Sequence, residues 1–353
     1  MPFPANYGGV IDVFYKIKAL HQHGIKIILH CFLYDRNESR ELEKYCEKVF
    51  YYPRKRRIID FFSSIPFIVK TRNHPDLIQN LASDDFPVLF EGLHCCGFLN
   101  HSLLKQKKKL VRVHNIEHEY YHQLAKAEPS ILKKIYFQVE TLKLKNFENN
   151  LAFADEILTI SKFDELYFSK RFKNVKLIPP FHQYHKVIIE EKVNDYILFN
   201  ADFNISTNYQ FAKKLNNWAK TSDKKVVFAG KVDFAANDDL HIIQNPTDLE
   251  LDKLIGLAFI NIISVEQQTG IKLKLVHALY RSKNLVIVGQ QIAELSFFEC
   301  PQIKHINFLH QLSDVFDEFL KDKTTHQEIV SKRLSTVNFL NQGLNVLNLV
   351  SSI

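Results

Sequence analysis

Apolar positions along the chain follow two alternating rhythms. Val10, Val13, Phe14, Ile17 and Leu20 recur at a helical period and predict a helix over 10–23, closed by Gly24. The next run, 25–32 (IKIILHCF), reads as a short buried strand. Helical patterns follow at 40–49, at 58–82 with a break at Pro66, at 99–104, in one long stretch at 131–151, and at 162–172. Strand patterns fall between them at 49–52, 88–90, 109–113, 157–160 and 175–178. The rhythm resumes after Pro179-Pro180, with strands at 196–199, 225–229, 241–243, 259–263 and 284–288. Helices at 207–221, 247–257 and 271–281 separate them, and 310–353 is helical. Strands alternating with helices imply parallel sheets with right-handed crossovers.

The proline pair and the polar stretch after it mark a domain boundary. We expect a first domain over 1–180, a second over 181–335, and a terminal helix at 336–353 that packs back on the first domain. A chain of 353 residues is long enough for two such domains, and 46% apolar with 24% charged residues is a globular composition. The net charge of +7 suits an anionic substrate, an anionic membrane surface or nucleic acid. Nucleic acid ranks last, because 39 acidic residues nearly match 46 basic ones and no zinc, helix-turn-helix or aromatic RNA-binding motif is present. The five cysteines show no metal spacing and read as reduced thiols in a cytoplasmic protein. Met1-Pro2-Phe3-Pro4 has neither the charged start nor the apolar run of a signal peptide, and no apolar stretch reaches membrane-spanning length.

Arg54-Lys55-Arg56-Arg57 precedes Ile58, Ile59, Phe61, Phe62, Ile65, Pro66 and Phe67. Such a stretch can rest on an anionic membrane, or it can be a solvated turn ahead of core residues. We take the second reading and keep peripheral contact at the inner face of the cell membrane as the alternative.

Two segments are suited to bind a ligand. Gly8-Gly9 opens the first helix, and Thr269-Gly270-Ile271-Lys272 opens a late one. Helix starts of this kind present backbone N–H groups and a positive dipole to a phosphate or sugar oxygen. Lys231, after Gly230, and Lys272 can supply charge to a nucleotide diphosphate. Lys274 lies about 200° from Lys272 on a helix, so Lys272 is the better placed. His114 follows an apolar strand at the end where parallel sheets bind ligands, and it can contact a hydroxyl or act as a base. Glu117, three residues on, can orient His114 or an acceptor, or favour a helix start. Glu91 and His94 follow the 88–90 strand and are candidates for acceptor binding or for capping a helix.

These residues carry a resemblance. Pro4-Ala5-Asn6-Tyr7-Gly8-Gly9 resembles the opening loop of glycosyltransferase family 4, and Val111-Arg112-Val113-His114-Asn115-Ile116-Glu117-His118 resembles its strand-end histidine motif. Ile157-Leu158-Thr159-Ile160-Ser161, Leu177-Ile178-Pro179-Pro180 and 269–279 (TGIKLKLVHAL) are similar to its later motifs. The resemblance implies the α/β GT-B fold, two doubly wound Rossmann-like domains facing across a cleft. It implies a hexosyltransferase-type activity that moves a sugar from a nucleotide sugar to a glycan or lipid-linked acceptor with retention, in cell-surface polysaccharide or glycoconjugate synthesis. His114 and Glu117 would be catalytic. Gly8, Gly9, Lys231, Thr269, Gly270, Lys272 and His277 would hold the donor, and Glu91 and His94 the acceptor. Neither cofactor nor metal is implied.

Two departures stand out. Family members open with a strand ahead of the Gly-Gly loop, and here Met1 lies only seven residues before Gly8. That strand is missing, which would leave two edges inside a parallel sheet and favours a start further upstream. Thr269 and His277 occupy the positions of two glutamates that many members carry. They keep open an alternative, a non-catalytic GT-B protein that binds a nucleotide or a glycan.

Overall fold

The computed structural model describes all residues except 6–7, 34–35, 234–239, 266–269 and 291–299. The chain divides into two compact units. The first holds Met1–Gln183, Gly270, Ile271 and Leu340–Ile353, and the second holds the remainder.

In the first unit the sequence alternates as its pattern predicts. Helix α1 (Gly8–Gln22) ends at Gly24, whose φ of 77° lies in the left-handed region that glycine tolerates. Strand β1 (Ile28–Leu33) pairs in parallel with β2 (Lys48–Pro53). Between them helix α2 spans only Arg40–Glu43, shorter than the predicted 40–49. Tyr45 and Val49 instead pack with Phe14, Cys31 and Leu42. The predicted helix at 58–82 is three pieces: a 3-10 turn at Ile58–Phe62, α3 (Phe67–Lys70) and α4 (Pro75–Leu81). Pro66 and Pro75 each begin a helix, because proline suits a helix start and breaks an interior.

Strands β3 (Val88–Glu91) and β4 (Lys109–Val113) follow, with 3-10 turns at Leu93–Phe98 and Ser102–Leu104 between them. Helix α5 (Glu117–Ala127) was not legible in the pattern. It pairs as a hairpin with α6 (Ile131–Phe147), and a 3-10 turn at Glu148–Phe153 takes up the rest of the predicted long helix. Strand β5 (Glu156–Thr159), helix α7 (Lys162–Ser169) and strand β6 (Val175–Leu177) complete the run.

The described strands of this unit form two separate parallel ladders, β1–β2 and β3–β4–β5–β6. Among the described residues β1 and β3 each have one partner strand. Met1, Phe3 and Ala5 join the apolar cluster beside β1, and the Met1 amino group lies 3.5 Å from the Phe32 carbonyl.

The second unit is one six-stranded parallel sheet. Its strands are β7 (Asn194–Asp202), β8 (Val226–Lys231), β9 (Ile242–Gln244), β10 (Ala258–Val265), β11 (Asn284–Gly289) and β12 (Ile303–Ile306), ordered β9-β8-β7-β10-β11-β12. In order of appearance this is 3-2-1-4-5-6, the doubly wound arrangement, with its switch point between β7 and β10. The helices are α8 (Ser206–Ser222), α9 (Asp248–Leu257), α10 (Leu273–Arg281), α11 (Leu312–Lys321) and α12 (His326–Val337). Ile197, Phe199, Ile260, Ile262 and Val286 from the sheet pack with Phe211, Leu215, Val315 and Phe316 from the helices. Near-continuous apolar strands suit a sheet covered on both faces.

The last helix, α13 (Gln342–Val350), belongs to the first unit. Val346 and Leu349 pack with Ala19, Leu20, Leu110, Leu158 and Phe181, and Asn345 Nδ2 donates to the Pro179 carbonyl at 3.3 Å.

Candidate active site at the strand ends

The first unit concentrates charge where β3, β4 and the start of α1 meet. Asp12 and Lys16 lie one helical turn apart on α1, on a face that is otherwise apolar, and both are buried. Arg112 sits inside the apolar strand β4 and has no exposure to solvent. A buried guanidinium needs partners for its donors. Its Nε and Nη2 donate to the two Asp12 carboxylate oxygens at 2.7 and 2.8 Å, and its remaining donors reach the carbonyls of Ile178 and Pro179 at 3.1 and 3.2 Å. The Phe181 amide adds a bond to Asp12 at 2.7 Å. Arg112 thereby ties α1 and β4 to the segment after β6.

Lys16 Nζ lies 2.5 Å from Glu91 and 3.6 Å from Asp12. His114, just past β4, places Nε2 3.4 Å from one oxygen of each carboxylate. Burial alone would raise both carboxyl groups. Arg112 and Lys16 instead hold Asp12 well below its ordinary range, and Lys16 with His114 lowers Glu91. Burial works against a charged His114, yet its contacts with Asp12 and Glu91 outweigh burial and raise its pKa.

Gly9 lines the same place. A Cβ there would lie 3.2 Å from His114 Nδ1, so closeness of approach, rather than a left-handed backbone, accounts for this glycine. Gly8 begins the helix in open space, with nothing within 4 Å of a Cβ. Glu117 is the first residue of α5 and is buried. Desolvation pushes its carboxyl up to about 7, against the opposing pull of His114 and Arg72. His94 lies close to Gly92, whose φ is 84°, and does not cap a helix through a side-chain bond. Burial, with Arg72 and His114 nearby, holds its pKa well below the usual imidazole range and keeps it neutral.

Gly9, Glu91 and Glu117 thus gather around His114. Asp12, Lys16 and Arg112 were missed. Their signals were present: a charge inside the run LVRV, and an Asp and Lys spaced i,i+4 along an apolar helix face.

Asp12, Glu91 and His114 bring ligand-type atoms within 4.8 Å of one another. Their charge is already matched, since buried Asp12 and half-buried Glu91 face the basic side chains of Lys16 and Arg112. A divalent cation would have to displace Lys16 and sit beside Arg112, which is electrostatically unfavourable.

Gly270 also belongs to this unit. Its amide donates to the two oxygens of buried Asp164 at 3.0 and 3.3 Å, and its φ is 67°. A Cβ would come within 2.4 Å of Asn115 Oδ1 and 2.7 Å of the His114 carbonyl, so only glycine fits. Asp164 is in turn bonded through its own amide to Ser161, which caps α7.

In the second unit, the turn after β7 borders the switch point. Asn204 bonds Asp233 through both side chain and backbone, joining the turns after β7 and β8. Lys231 is exposed and lies 3.4 Å from Asp233. Lys272 is the N-cap residue of α10, at a helix start that suits an anion. Lys274 lies 5.2 Å from the Phe199 ring centre. His277 Nε2 lies 3.0 Å from Asp252 and its ring stacks on Tyr184 at 4.7 Å, while Arg281 Nε also donates to Asp252 at 2.9 Å. Thr269 lies outside the described residues.

Both units are α/β with parallel strands, and solved structures that superpose over nearly the full chain give it the GT-B fold. HepE of Anabaena, solved with UDP and glucose, superposes with a TM-score of 0.67 over 96% of this chain and 95% of HepE, at 10% identity. A glycosyltransferase from Rickettsia africae gives 0.61 over 98% and 94% at 12% identity. Medicago truncatula UGT71G1 with UDP-glucose gives 0.58 over 98% and 96% at 8% identity. In sequence, an uncharacterised 44.6 kDa protein in the cps region of Klebsiella pneumoniae is 29% identical over 309 residues, covering 79% of this chain and 78% of that protein. No family model matches the chain.

Proposed function

We propose that this protein is a glycosyltransferase of the family 4 type, moving a hexosyl group from a nucleotide sugar to a glycan or lipid-linked acceptor with retention. The observation that carries the reading is His114, held between Asp12 and Glu91 at the carboxyl end of β4, with the near-neutral Glu117 in the next turn. The fold relatives HepE and UGT71G1 were solved with UDP or UDP-glucose bound, which supports a nucleotide-sugar donor. The cps-region relative supports a setting in cell-surface polysaccharide synthesis. The cytoplasmic face of the membrane is the location proposed for it.

The donor's diphosphate would lie at the start of α10, where Lys272 and the helix dipole match the charge that develops as the sugar leaves. Lys231 and Gly270 would also contact the donor. His114 would orient a hydroxyl on the sugar or acceptor, and Glu91 with Asp12 fixes the imidazole. Glu117 would exchange protons near neutrality. The leaving phosphate would assist the incoming hydroxyl, so no protein nucleophile is needed. His94, neutral and half-buried, would contact acceptor.

One observation favours the second reading, a nucleotide- or glycan-binding protein without turnover. His277 is committed to Asp252 and Tyr184, and so is poorly placed to replace a ribose-binding glutamate. Transfer assays with His114→Ala separate the two. The proposal expects a loss of turnover of about a hundredfold or more with nucleotide affinity unchanged. Nucleotide binding with no transfer by the unaltered protein on any acceptor would support the second reading.

A further inference from the structure

The first four apolar residues after the basic cluster, Ile58, Ile59, Phe61 and Phe62, do not enter the core. Ile58, Ile59 and Phe62 are 79%, 69% and 85% exposed. They stand beside α6: Lys143 Nζ donates to the Phe61 carbonyl at 2.7 Å, and the Phe61 ring meets Tyr136 at 5.5 Å. On α6 itself Ile131, Leu132, Ile135, Val139 and Leu142 are all exposed, Leu132 at 81%. At the helical repeat these five fall within about 100° of arc, a stripe on the side opposite buried Glu140 and Leu144. Lys134 and Lys145 border the stripe on one side and Lys143 on the other.

The charge is one-sided. Glu140 is the only acidic residue of α6, and it is buried, bonded to the Phe67 amide and to Lys143. Every other charge on the helix is a lysine, and Lys55, Arg56 and Arg57 are exposed ahead of Ile58. Asp60, the acidic residue of Ile58–Phe62, is buried and paired with Arg57. Exposed apolar side chains bordered by lysines and arginines form a surface that water disfavours and an anionic bilayer satisfies twice, by burying the stripe and by pairing the lysines with phosphates.

We propose that Ile58–Phe62 and the outer stripe of α6 form a membrane-docking face that lies in the interfacial layer of an anionic bilayer. Among the described residues no helix is long and apolar enough to cross a membrane, and the proposed contact is from one side. The face stands on its own evidence and needs no turnover, so its failure and that of the transferase reading are separable.

The test is co-sedimentation of the full chain with vesicles of phosphatidylcholine alone, or with about one-third phosphatidylglycerol. The expected result is about tenfold more bound protein on the anionic vesicles, weakened by salt. Phe62→Ser/Leu132→Ser/Leu142→Ser abolishes that binding without lowering the unfolding temperature, since all three side chains are exposed. Lys134→Glu/Lys145→Glu, which leaves the apolar stripe intact, also reduces binding and decides the matter if the triple variant fails to fold. No binding to anionic vesicles would overturn the proposal, as would binding that both variants retain. A dimer of the unaltered chain that the triple variant dissociates would overturn it too, by making the stripe a contact between copies.

Discussion

Each residue of the buried cluster depends on the others for its charge. Asp12 accepts from Arg112 and the Phe181 amide, so Asp12→Ala leaves a guanidinium with no exposure facing its carbonyls alone. Loss of one partner of such a pair costs about 3–5 kcal/mol. Denaturant titration should show a loss of that size, and a change below about 1 kcal/mol would mean the pair contributes little. Glu117 sets a pH dependence of definite sign. Its folded pKa of about 7 lies above the ordinary 4.5, so the native state holds the proton more tightly than the unfolded chain. That contribution is complete below pH 4.5 and is lost as pH rises to about 7, by at most about 3 kcal/mol. Glu117→Gln should flatten stability across this window. The further decline from raised His114, which begins near its ordinary 6.5, should remain. An unchanged profile would mean Glu117 ionises at its ordinary pH.

At the scale of elements, the apolar rhythm located most strands and helices, because buried parallel strands and amphipathic helices carry strong periodic signals. Strand β4 falls where the pattern places it, and α10 and α9 differ from their predicted ranges only at the first turn. The pattern failed where tertiary partners override it. The 40–49 segment has helical spacing, yet Tyr45 and Val49 pack against β1 and shorten the helix. At 58–62 an apolar run lies on the surface, which periodicity does not distinguish from core. In the site, Glu91 and His114 were legible from strand-end position and Gly9 from its place at a helix start, whereas Arg112 was hidden because a strand pattern gives no partner 100 residues away. Glycine roles divide by backbone. Gly270→Ala meets a fixed carbonyl at 2.7 Å with φ at 67° and should cost about 1–3 kcal/mol. Gly8→Ala meets nothing at a helix start and should be neutral or stabilising by under about 1 kcal/mol. Equal effects of the two substitutions in thermal unfolding would contradict this division.

For the whole molecule, the chain builds two units and returns to the first one with its last helix. Val346 and Leu349 of α13 fill the core between α1 and the strands, and Asn345 meets Pro179, whose carbonyl also binds Arg112. Leu349→Ala should therefore lower stability by about 2–5 kcal/mol, a large effect so near a chain end. A loss below about 0.5 kcal/mol in denaturant would mean α13 is only loosely docked. The doubly wound sheet with Lys272 at the start of α10 makes nucleotide binding the central claim. The most direct measurement is isothermal titration calorimetry with UDP, GDP, ADP and their sugars, on the unaltered protein and on Lys272→Ala. The account predicts saturable binding of one nucleotide, weakened about tenfold or more by the substitution with unfolding temperature unchanged. Binding of none of them by the folded protein would contradict it.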